Sequence, residues 1–547
     1  MAILNKFIVC VCLVITGFVM TAESGDRTYL LAVDHGTSAM KVALTDKCGE
    51  VLAFEFIKTP LDLKPGGGAE QDPDDWWSAF VECSKRLVEG GIVQPEQIAG
   101  ICVSSQWSGT VAVDESGNHL HNAIIWMDTR GEPYIKKALK GMINIQGYSI
   151  TNLMRWLRKT AGIPAGAGKD PIAHILYLKH EHPEIYEKTY KFLECKDYLN
   201  LKLTGKFASS YDSIMLHWVT DIRDIWNIRY DAGLIKKIGV DPEKLPLLMS
   251  SIDVLGDIRE EAANQIGLLP DTKVVMGSPD LHSAIIGSGA VRDFEGHIYI
   301  GTSSWVICHV PFKKTDISHN MAALPSPIPG RYFVANEQES AGACLTFLRD
   351  NLLHIDDPEK FGKQEVYQDF DKIVEDVPAG SNKMIFTPWL YGERTPVEDH
   401  TLRGGLHNIS LPVKRGDLIR AVFEGVAYNS RWLMELVEKF IKRKMDSLNI
   451  IGGGAQSDIW CQIYADVLNR TIRKVKDPIY ANARGAALIG AVGLGLCSFD
   501  DIPSLIQIEK EFTPNPANRE IYDELFKEFL NIYKNNVKMY KRLNRSS

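Results

Sequence analysis

The sequence predicts an α/β protein of two related lobes that hold one polyphosphate between them. Two Gly-Thr-Ser turns carry the prediction: Gly36–Ser38 follows the apolar run Leu30–Val33, and Gly301–Ser303 follows Ile298–Ile300. A second strand-like run leaves each turn, so each motif predicts a β-hairpin. A tight turn of small, hydroxyl-bearing residues can direct N–H groups and hydroxyls at one anion. Because 547 residues exceed one ordinary core, we expect two lobes of a nucleotide-using enzyme.

Composition narrows the class of ligand. The hydrophobic share of 45% and the charged share of 24% are typical of a soluble globular protein. The net charge of −8 argues against a nucleic-acid partner and favours a small metabolite or a nucleotide that arrives with a metal. Several of the ten cysteines, such as Cys102 and Cys308, lie in apolar runs. We therefore expect buried thiols and a cytoplasmic protein.

The N-terminus conflicts with that location. Residues Phe7–Met20 are continuously apolar after one basic residue, Lys6. The run is too short for a comfortable membrane span, so no stable span is expected. It does resemble the apolar region of a secretory signal, with Ala22 as a small residue near a cleavage point. An anchor or an extended start is the alternative, and residues 1–27 are excluded from the predicted fold.

The first predicted lobe covers residues 28–288 and mixes strands with helices. The predicted strands are Leu30–Val33, Lys41–Leu44, Ile101–Ser104, Ala123–Trp126 and Lys273–Met276. The predicted helices are Asp74–Glu89, Ile172–His180 and Tyr198–Leu203. An acidic first turn supports the start of the first helix.

The second predicted lobe covers residues 289–547 and restarts with the second hairpin. Further strands are predicted at Arg331–Asn336 and Leu448–Ile451, and helices at Ala341–Leu353, Asp417–Lys442 and Ala517–Leu543. No low-complexity linker separates the halves. We therefore expect two lobes that hinge around a shared cleft.

The first hairpin carries groups suited to a metal and a phosphate. Asp34 precedes the turn, Gly36 permits close backbone approach, Thr37 and Ser38 add donors, and Lys41 lies on the outgoing strand. Mg²⁺ prefers one or two carboxylates together with phosphate oxygens, so Asp34 is the predicted metal ligand. An ordinary turn capped by an aspartate is the alternative for one hairpin alone. Two matching hairpins favour the phosphate interpretation.

Asp280 is the predicted catalytic base. It follows the apolar strand Lys273–Met276 and a Gly-Ser-Pro turn, and is expected at the carboxyl end of a strand, where α/β sites form. Phosphorylation of a hydroxyl needs a group that accepts its proton. A cap for the following helix is the alternative, and both roles can coexist.

A glycine-rich turn is the predicted nucleotide platform. Gly452–Ala455 follows a strand and runs into Ser457, so an adenine or a ribose can rest there without obstruction by side chains. Gly166–Lys169 is not a Walker A loop, because Asp170 stands where Ser or Thr is needed and no strand precedes it.

Two polar clusters predict a sugar pocket on the first lobe. Gln106, Trp107 and Ser108 follow one strand, and Trp126 and Asp128 follow another. Indole faces pack on sugar rings, and amide or carboxylate groups bind hydroxyls. A core tryptophan and a surface aspartate–arginine pair are the alternative interpretation.

In their order along the chain these motifs resemble the FGGY family of carbohydrate kinases, and within it the xylulokinases most closely. The resemblance covers about Thr28–Leu496. The ordered set is Asp34–Ser38, Trp126–Arg130, Gly277–Asp280, Gly301–Ser304, Glu424–Ala427 and Gly452–Ala455. Each motif is weak alone, and the order makes the set specific.

The resemblance implies two actin-like, ribonuclease-H-like lobes with ATP and sugar in the cleft. It implies Asp280 as the base and Asp34 as the residue that positions Mg²⁺. The expected cofactor-binding residues are Gly36, Thr37, Ser38, Lys41, Gly301, Thr302, Ser303, Gly453, Gly454, Ala455 and Ser457. The expected substrate-binding residues are Gln106, Trp107, Ser108, Trp126, Asp128 and Asp280.

The expected reaction is ATP-dependent phosphorylation of a small sugar at its terminal hydroxyl, D-xylulose to D-xylulose 5-phosphate. Glycerol kinases carry Arg-Glu after the matching glutamine, where this chain has Trp107-Ser108, so glycerol is disfavoured. Bacterial xylulokinases carry Met-His there, so ribulose, gluconate and other polyols stay open. An actin-like ATPase switch and an inactive sugar sensor are the rival functions, and a homodimer is left open.

Overall fold

Two large mixed β-sheets form the centres of two lobes. The computed structural model describes residues 27–145, 148–353, 357 and 362–544. The first sheet comprises β1 (Tyr29–His35), β2 (Ala39–Asp46), β3 (Val51–Lys58), β4 (Ile98–Ser105), β5 (Val254–Asp257) and β6 (Lys273–Val275). The second comprises β7 (Gly296–Ile300), β8 (Ser304–Val310), β9 (Thr315–Asp316), β10 (Met321–Pro325), β11 (Tyr332–Ala335), β12 (Ser447–Ile451), β13 (Thr471–Val475) and β14 (Ile508–Phe512). The apolar segment Phe7–Met20 lies outside the described residues.

Six strands of each sheet share one pattern of strand directions. The first runs β5-β6-β4-β1-β2-β3, and the second runs β14-β13-β12-β7-β8-β11-β10-β9. In each sheet the first strand of the hairpin has a parallel neighbour on its other side, β4 beside β1 and β12 beside β7. A second parallel strand follows, β6 or β13, and then an antiparallel edge strand. The prediction of two related lobes is confirmed.

Helices cover both faces of the sheets. They are α1 (Pro73–Glu89), α2 (Glu132–Leu139), α3 (Ile150–Thr160), α4 (Pro171–Glu181), α5 (Pro183–Lys188), α6 (Cys195–Thr204), α7 (Ala232–Ile238), α8 (Glu260–Ile266), α9 (Asp280–Gly287), α10 (Gly342–Phe347), α11 (Val366–Glu375), α12 (Arg415–Ile441), α13 (Asp458–Leu468), α14 (Ala481–Gly493), α15 (Ile502–Leu505) and α16 (Arg519–Leu543). Among the described residues, none of these helices combines the length and apolar character that a membrane crossing needs.

Shorter strands complete the first lobe and the rim of the second. Strand pairs join Val111–Val113 with Lys191–Leu193, Asn144–Ile145 with Tyr148–Ser149, Ala208–Ser210 with Leu247–Met249, Thr220–Asp221 with Arg229–Tyr230, and Ile385–Thr387 with Gly405–His407. A three-stranded sheet joins Asp62–Lys64, Gly68–Gln71 and Ala123–Ile124. The strand predicted at Ala123–Trp126 therefore ends two residues early. The helix predicted at Ala341–Leu353 divides into α10 and a π-helical turn, Leu348–Leu353.

Side chains alternate between the two faces of β1, so one face of the first sheet packs on α1 of the first lobe and the other packs on α14 of the second. Leu31 and Val33 pack in the core that α1 covers, whereas Ala32 packs on alanines of α14. Residues buried on both faces give the near-continuous apolar run of a central strand. The predicted boundary at residues 288 and 289 lies between α9 and β7, and stays a prediction.

Helices α9 and α14 pack unusually closely where the lobes meet. A Cβ on Gly287 would lie 1.8 Å from the carbonyl oxygen of Ala481, and one on Gly485 would lie 1.8 Å from that of Ser283. Glycine is needed at both positions, because any larger side chain would clash with the backbone of the facing helix. The contact joins the second half of α9 to α14.

Candidate active site

The first hairpin presents a paired carboxylate and ammonium. The β1–β2 register sets Asp34 opposite Lys41, whose Nζ donates to Asp34 Oδ2 at 2.8 Å. Asp34 is 5% exposed, and its charge raises the pKa of Lys41. The other oxygen, Oδ1, makes no hydrogen bond to any residue that the structure describes. The turn closes through the Gly36 N–H, which donates to the Ala39 carbonyl at 3.0 Å.

Asp280 opens α9 directly after β6. The turn before it requires Gly277, which has φ +72° and whose Cβ would lie 2.0 Å from the Val103 carbonyl oxygen. A parallel bridge between Ser105 and Pro279 fixes the turn beside the end of β4. The backbone N–H of Leu281 donates to Asp280 Oδ1 at 2.7 Å. The carboxyl group is thus held at the carboxyl ends of β4 and β6, as predicted for a strand-end aspartate.

A buried polar layer anchors the turn that carries Asp280. Ser278 Oγ donates to the carboxylate of Asp212, and both side chains are fully buried. Asn200 Nδ2 donates to the Met276 carbonyl at 2.8 Å. These two hydrogen bonds hold Met276 and Ser278, so they fix the turn that leads into Asp280.

The surroundings of Asp280 raise the pKa of its carboxyl group toward neutral pH. Burial, together with the nearby charges of Asp34 and Glu337, raises its pKa to about 7, against the opposing effects of the Leu281 N–H and Lys41. A base works best when its pKa lies near the working pH. Asp280 is therefore suited to take a proton from a hydroxyl.

The second hairpin is similar, but its turn is one residue shorter and it lacks the charged pair. Its turn, Gly301–Ser303, follows Ile300 and closes through the Gly301 N–H to the Ser303 carbonyl at 2.9 Å. The N–H groups of Ala341 and Gly342 hold the carbonyls of Thr302 and Gly301 at 2.8 Å. The turn is neutral and is fixed from behind by the start of α10.

Tyr299, on the second hairpin, lies near charged residues of the first lobe. Its ring stacks on Trp305 with centroids 4.0 Å apart. Burial raises the pKa of Tyr299 to about 12, and charges of the first lobe also act on it: Lys41 lowers it, whereas Asp34 and Asp280 raise it. These residues therefore share one cleft.

The glycine-rich turn lies against the second hairpin. Gly452 has φ +91°, and its Cβ would lie 2.5 Å from the Ile300 carbonyl oxygen. Gly453 is exposed with open space at its Cβ position, Gly454 packs on the Ile300 side chain, and Ala455 is buried. Of this predicted platform, Gly453 has the most room for a ligand.

Ser457 acts as a helix cap in the structure. Its Oγ accepts from the Trp460 N–H at 3.1 Å and donates to Asp371 Oδ1 at 2.7 Å. Both roles hold the start of α13. Its predicted contact with the nucleotide stays a prediction.

Two residues of the predicted sugar pocket, Gln106 and Trp126, hydrogen-bond to Thr37 of the first hairpin. Thr37 Oγ1 donates to Gln106 Oε1 at 2.8 Å and accepts from Trp126 Nε1 at 3.0 Å. Gln106 is 3% exposed, whereas Trp126 is half-buried. The structure thus brings the sugar cluster and the phosphate turn together through one hydroxyl.

Trp107 and Ser108 lie between the base and a loop after α3. The Trp107 indole donates to the Ser213 carbonyl at 2.8 Å and meets the ring of His282 edge-on at 4.7 Å. Ser108 has φ +68° and donates from Oγ to the Lys169 carbonyl at 2.8 Å. Trp107 is half-buried, so part of its indole is available to a ligand.

Asp128 lies in a closed ionic network. It is 1% exposed and accepts from the Ala69 N–H at 2.9 Å and from Arg130 Nε at 2.9 Å. Arg130 also binds Glu70 at 2.6 Å. Asp128 is buried and Arg130 is half-buried, so the two do not form the surface pair of the alternative interpretation. Contact of Asp128 with a sugar stays a prediction.

The second lobe adds a charged cluster that the sequence analysis missed. Arg394 pairs with Glu337 and with Glu339, to which its Nε donates at 3.0 Å. Glu337 and Glu339 lie just after β11. A run of polar residues after a buried strand is the sequence pattern that could have indicated this cluster. Across the cleft, burial and Arg394 lower the pKa of Lys169. Lys169 ends the glycine loop that the sequence excluded as a Walker A motif, and no strand precedes it in the structure.

Comparison with known proteins identifies the family. The N-terminal domain of the FGGY family of carbohydrate kinases matches residues 29–287, and its C-terminal domain matches residues 296–494. The chain belongs to the FGGY family of carbohydrate kinases. It is 29% identical to the xylulose kinase of Bacillus subtilis (strain 168) over 513 residues, which are 92% of this chain and 96% of that protein.

Solved structures agree with the fold of this carbohydrate kinase. The ligand-bound xylulose kinase from Lactobacillus acidophilus matches with a TM-score of 0.82 and 25% identity, covering 94% of this chain and 99% of that one. The gluconate kinase from the same organism matches with a TM-score of 0.81 and 25% identity, with the same coverage. The enzyme is a phosphotransferase that uses a sugar and ATP, and the predicted two-lobed kinase fold is confirmed.

Proposed function

We propose that this kinase transfers the γ-phosphoryl group of ATP to the terminal hydroxyl of D-xylulose, giving D-xylulose 5-phosphate. One observation carries the proposal: Asp280, with a pKa of about 7, stands at the carboxyl ends of β4 and β6, near Asp34 and Lys41 of the first hairpin. The choice of sugar is supported by the identity to the xylulose kinase of Bacillus subtilis along 92% of this chain.

Asp280 takes the proton in the proposed reaction. As the ionised carboxylate accepts the hydroxyl proton, the hydroxyl oxygen bonds to the γ-phosphorus and the bond to the ADP oxygen breaks. Lys41 supplies positive charge beside the first turn, and the backbone N–H groups of Thr302 and Ser303 supply neutral donors on the other side. Positioning and charge stabilisation provide most of the rate enhancement in phosphoryl transfer.

The first hairpin fits a magnesium ion. Asp34 Oδ1 has no hydrogen bond within the part of the chain that the structure describes, and Gly36–Ser38 offers the adjoining place for a phosphate. Hard carboxylate oxygen together with phosphate oxygen is the donor set that Mg²⁺ prefers. When bound, the ion would neutralise charge on the phosphate oxygens, and Asp34 is the residue proposed to hold it.

The sugar is proposed to lie between the half-buried indoles and Asp280. Trp107 and Trp126 offer flat apolar surface, and Asp280 offers an acceptor for the reactive hydroxyl. Asp128 is left out of this proposed site because its carboxylate already accepts from Ala69 and Arg130. The adenosine is proposed to rest on the turn at Gly453, where the backbone has open space.

We also propose a reducing, cytoplasmic location. Among the described residues, eight cysteines carry free thiols, and six of them are buried. Free thiols are typical of proteins kept in a reducing compartment. A homodimer stays a prediction, which light scattering coupled to size-exclusion chromatography tests.

A coupled assay of ADP release tests the substrate. We expect D-xylulose to give the highest kcat/KM in a panel that also contains D-ribulose, gluconate and glycerol, with D-xylulose 5-phosphate as the product by mass spectrometry. A higher kcat/KM for another sugar would overturn the choice of D-xylulose. ADP release that no sugar stimulates would overturn the kinase assignment in favour of an ATPase switch.

Gluconate is the second candidate. The gluconate kinase from Lactobacillus acidophilus matches this fold with a TM-score of 0.81, and Lys169 Nζ has no hydrogen bond or ion pair to any residue that the structure describes. The Lys169 carbonyl contacts Ser108 beside the proposed pocket, so its ammonium group could bind a carboxylate. If gluconate is the substrate, Lys169→Met should raise the KM for gluconate and leave that for D-xylulose unchanged.

A further inference from the structure

Three residues from distant parts of the chain form a closed ring of hydrogen bonds beside the first hairpin, through their side chains and the Thr37 backbone carbonyl. Gln71 Nε2 donates to the Thr37 carbonyl at 2.8 Å, Gln106 Nε2 donates to Gln71 Oε1 at 2.8 Å, and Thr37 Oγ1 donates to Gln106 Oε1 at 2.8 Å. Gln71 is 2% exposed and ends the short strand Gly68–Gln71. The sequence analysis gave Gln71 no role.

Gln71 fixes the direction of every bond in the ring. Its two amide hydrogens are both used on backbone carbonyls, those of Thr37 and of Pro60 at 2.9 Å. Carbonyl oxygens only accept, so Gln71 Oε1 must point to Gln106. The Gln106 amide then presents Nε2 to Gln71 and Oε1 to Thr37, and the Thr37 hydroxyl has to donate its hydrogen to Gln106.

This direction determines what the hairpin and the pocket can offer. The Thr37 hydroxyl has given its hydrogen to the ring, so it accepts from the Trp126 indole at 3.0 Å and has none for a phosphate. The second hydrogen of Gln106 Nε2 faces His35, whose Nε2 lies 3.4 Å away. Gln106 and Thr37 therefore connect the turn to Trp126 instead of each binding a separate ligand.

We propose that Gln71 is a positioning residue that couples the sugar pocket to the phosphate turn. It sets the ring direction that holds Trp126 against Thr37, and so aligns the sugar with the phosphoryl group. The proposal rests on the proposed function, which places the sugar at Trp126 and Asp280. It assigns this chain's predicted sugar residue Gln106 to the link between the two sites.

Loss of the ring should affect transfer to the sugar more than attack by water. Transfer needs the acceptor oxygen aligned with the γ-phosphorus, and small misplacement of bound groups costs rate steeply. Attack by water on the γ-phosphorus does not depend on the sugar pocket. A variant without the ring should therefore release more ADP per sugar phosphorylated, whereas a loss of folded protein would lower both reactions together.

The test compares Gln71→Met and Gln71→Glu with Gln265→Met. Methionine keeps the length of the side chain and removes all three bonds. Glutamate keeps the acceptor for Gln106 but has at most one hydrogen for two carbonyls. Gln265 is an exposed glutamine of the same lobe that accepts from the Trp77 indole at 3.2 Å, so it controls for loss of a glutamine contact. ADP and sugar phosphate are measured together, with KM for each substrate and hydrogen exchange at Gly36–Ser38.

We expect Gln71→Met to lower kcat for the sugar about tenfold and to raise the ratio of ADP to sugar phosphate at least about threefold. Gln71→Glu should change both in the same direction by less, and Gln265→Met should match the wild type. Faster exchange at Gly36–Ser38 should accompany both ring variants. An unchanged ratio in an active Gln71→Glu enzyme would overturn the coupling. A wild type that phosphorylates no sugar would instead overturn the proposed function, and the coupling with it.

Discussion

The two hairpins are built alike and charged differently. Both join an antiparallel strand pair through a Gly-Thr-Ser turn, and both have a parallel strand beside the incoming strand. The first carries the Asp34–Lys41 pair at 2.8 Å, whereas the second has Ile300 before its glycine. Two similar hairpins thus differ in the length of their turns and in their electrostatic environments.

The difference assigns the chemistry to one side of the cleft. Asp34 raises the pKa of Asp280, and Lys41 lowers it, so the charged hairpin adjusts the base as well as flanking the phosphate. The neutral hairpin is held from behind by the N–H groups of Ala341 and Gly342. We infer that the first hairpin controls protonation and metal binding, and that the second provides shape and N–H donors.

Removal of the base leaves both hairpins intact and should give the largest effect. Asp280→Asn keeps the shape of the side chain but cannot accept a proton, so kcat for sugar phosphorylation should fall by about a thousandfold. Binding of ATP should stay within about twofold, since the phosphate turns are unchanged. ADP release and calorimetric titration with ATP measure the two effects. Asp271→Asn, at an exposed residue paired with Arg27, is the control, and turnover by Asp280→Asn at the wild-type rate would contradict the assignment.

Removing the charge of Asp34 should lower kcat/KM more than removing the hydroxyl of Ser303. Asp34→Asn should lower kcat/KM about a hundredfold and raise the Mg²⁺ concentration for half-maximal rate, because Asp34 is the proposed metal ligand. Ser303→Ala removes one hydroxyl from the neutral turn and should cost only about threefold. Rates at a series of Mg²⁺ concentrations separate the two variants. Equal losses of kcat/KM, with unchanged dependence on Mg²⁺, would contradict the assignment of metal binding to the first hairpin.

The raised pKa of Asp280 should also affect stability. Its pKa moves from 3.8 to about 7 on folding, mainly through burial. Between these values the folded state binds more protons than the unfolded state, so the free energy of unfolding falls as pH rises through this window. Asp280→Asn should therefore raise the melting temperature at about pH 8, and the gain should shrink toward about pH 4. Calorimetric melting at both pH values tests this, and a gain independent of pH would contradict it.

Sequence patterns predicted the parts of the site that depend on local structure. Both turns, the strand-end position of Asp280 and the exposed backbone at Gly453 follow from runs of strand-forming residues broken by glycine. Close backbone approach explains why glycine is needed, as at Gly277 beside Val103. These features are encoded within about ten residues of one another, which is the range that periodicity and turn chemistry cover.

Contacts between distant segments could not be predicted in that way. Gln71 and Gln106 are 35 positions apart, and Arg394 and Glu337 are 57 apart. A polar residue after a strand suggested a ligand contact for Asp128, whereas burial has paired it with Arg130. The residue types were noted correctly, but which polar groups satisfy one another depends on packing of the folded chain.

The pH dependence of kcat/KM for the sugar tests the central comparison most directly. The wild type should lose activity below about pH 7 as Asp280 is protonated. In Asp34→Asn the loss of a neighbouring negative charge lowers the pKa of Asp280, so the acid limb should move to lower pH even though the maximal rate falls. Ser303→Ala should leave the limb in place. A limb that stays fixed in Asp34→Asn, or moves equally in both variants, would contradict the division between a charged and a neutral hairpin.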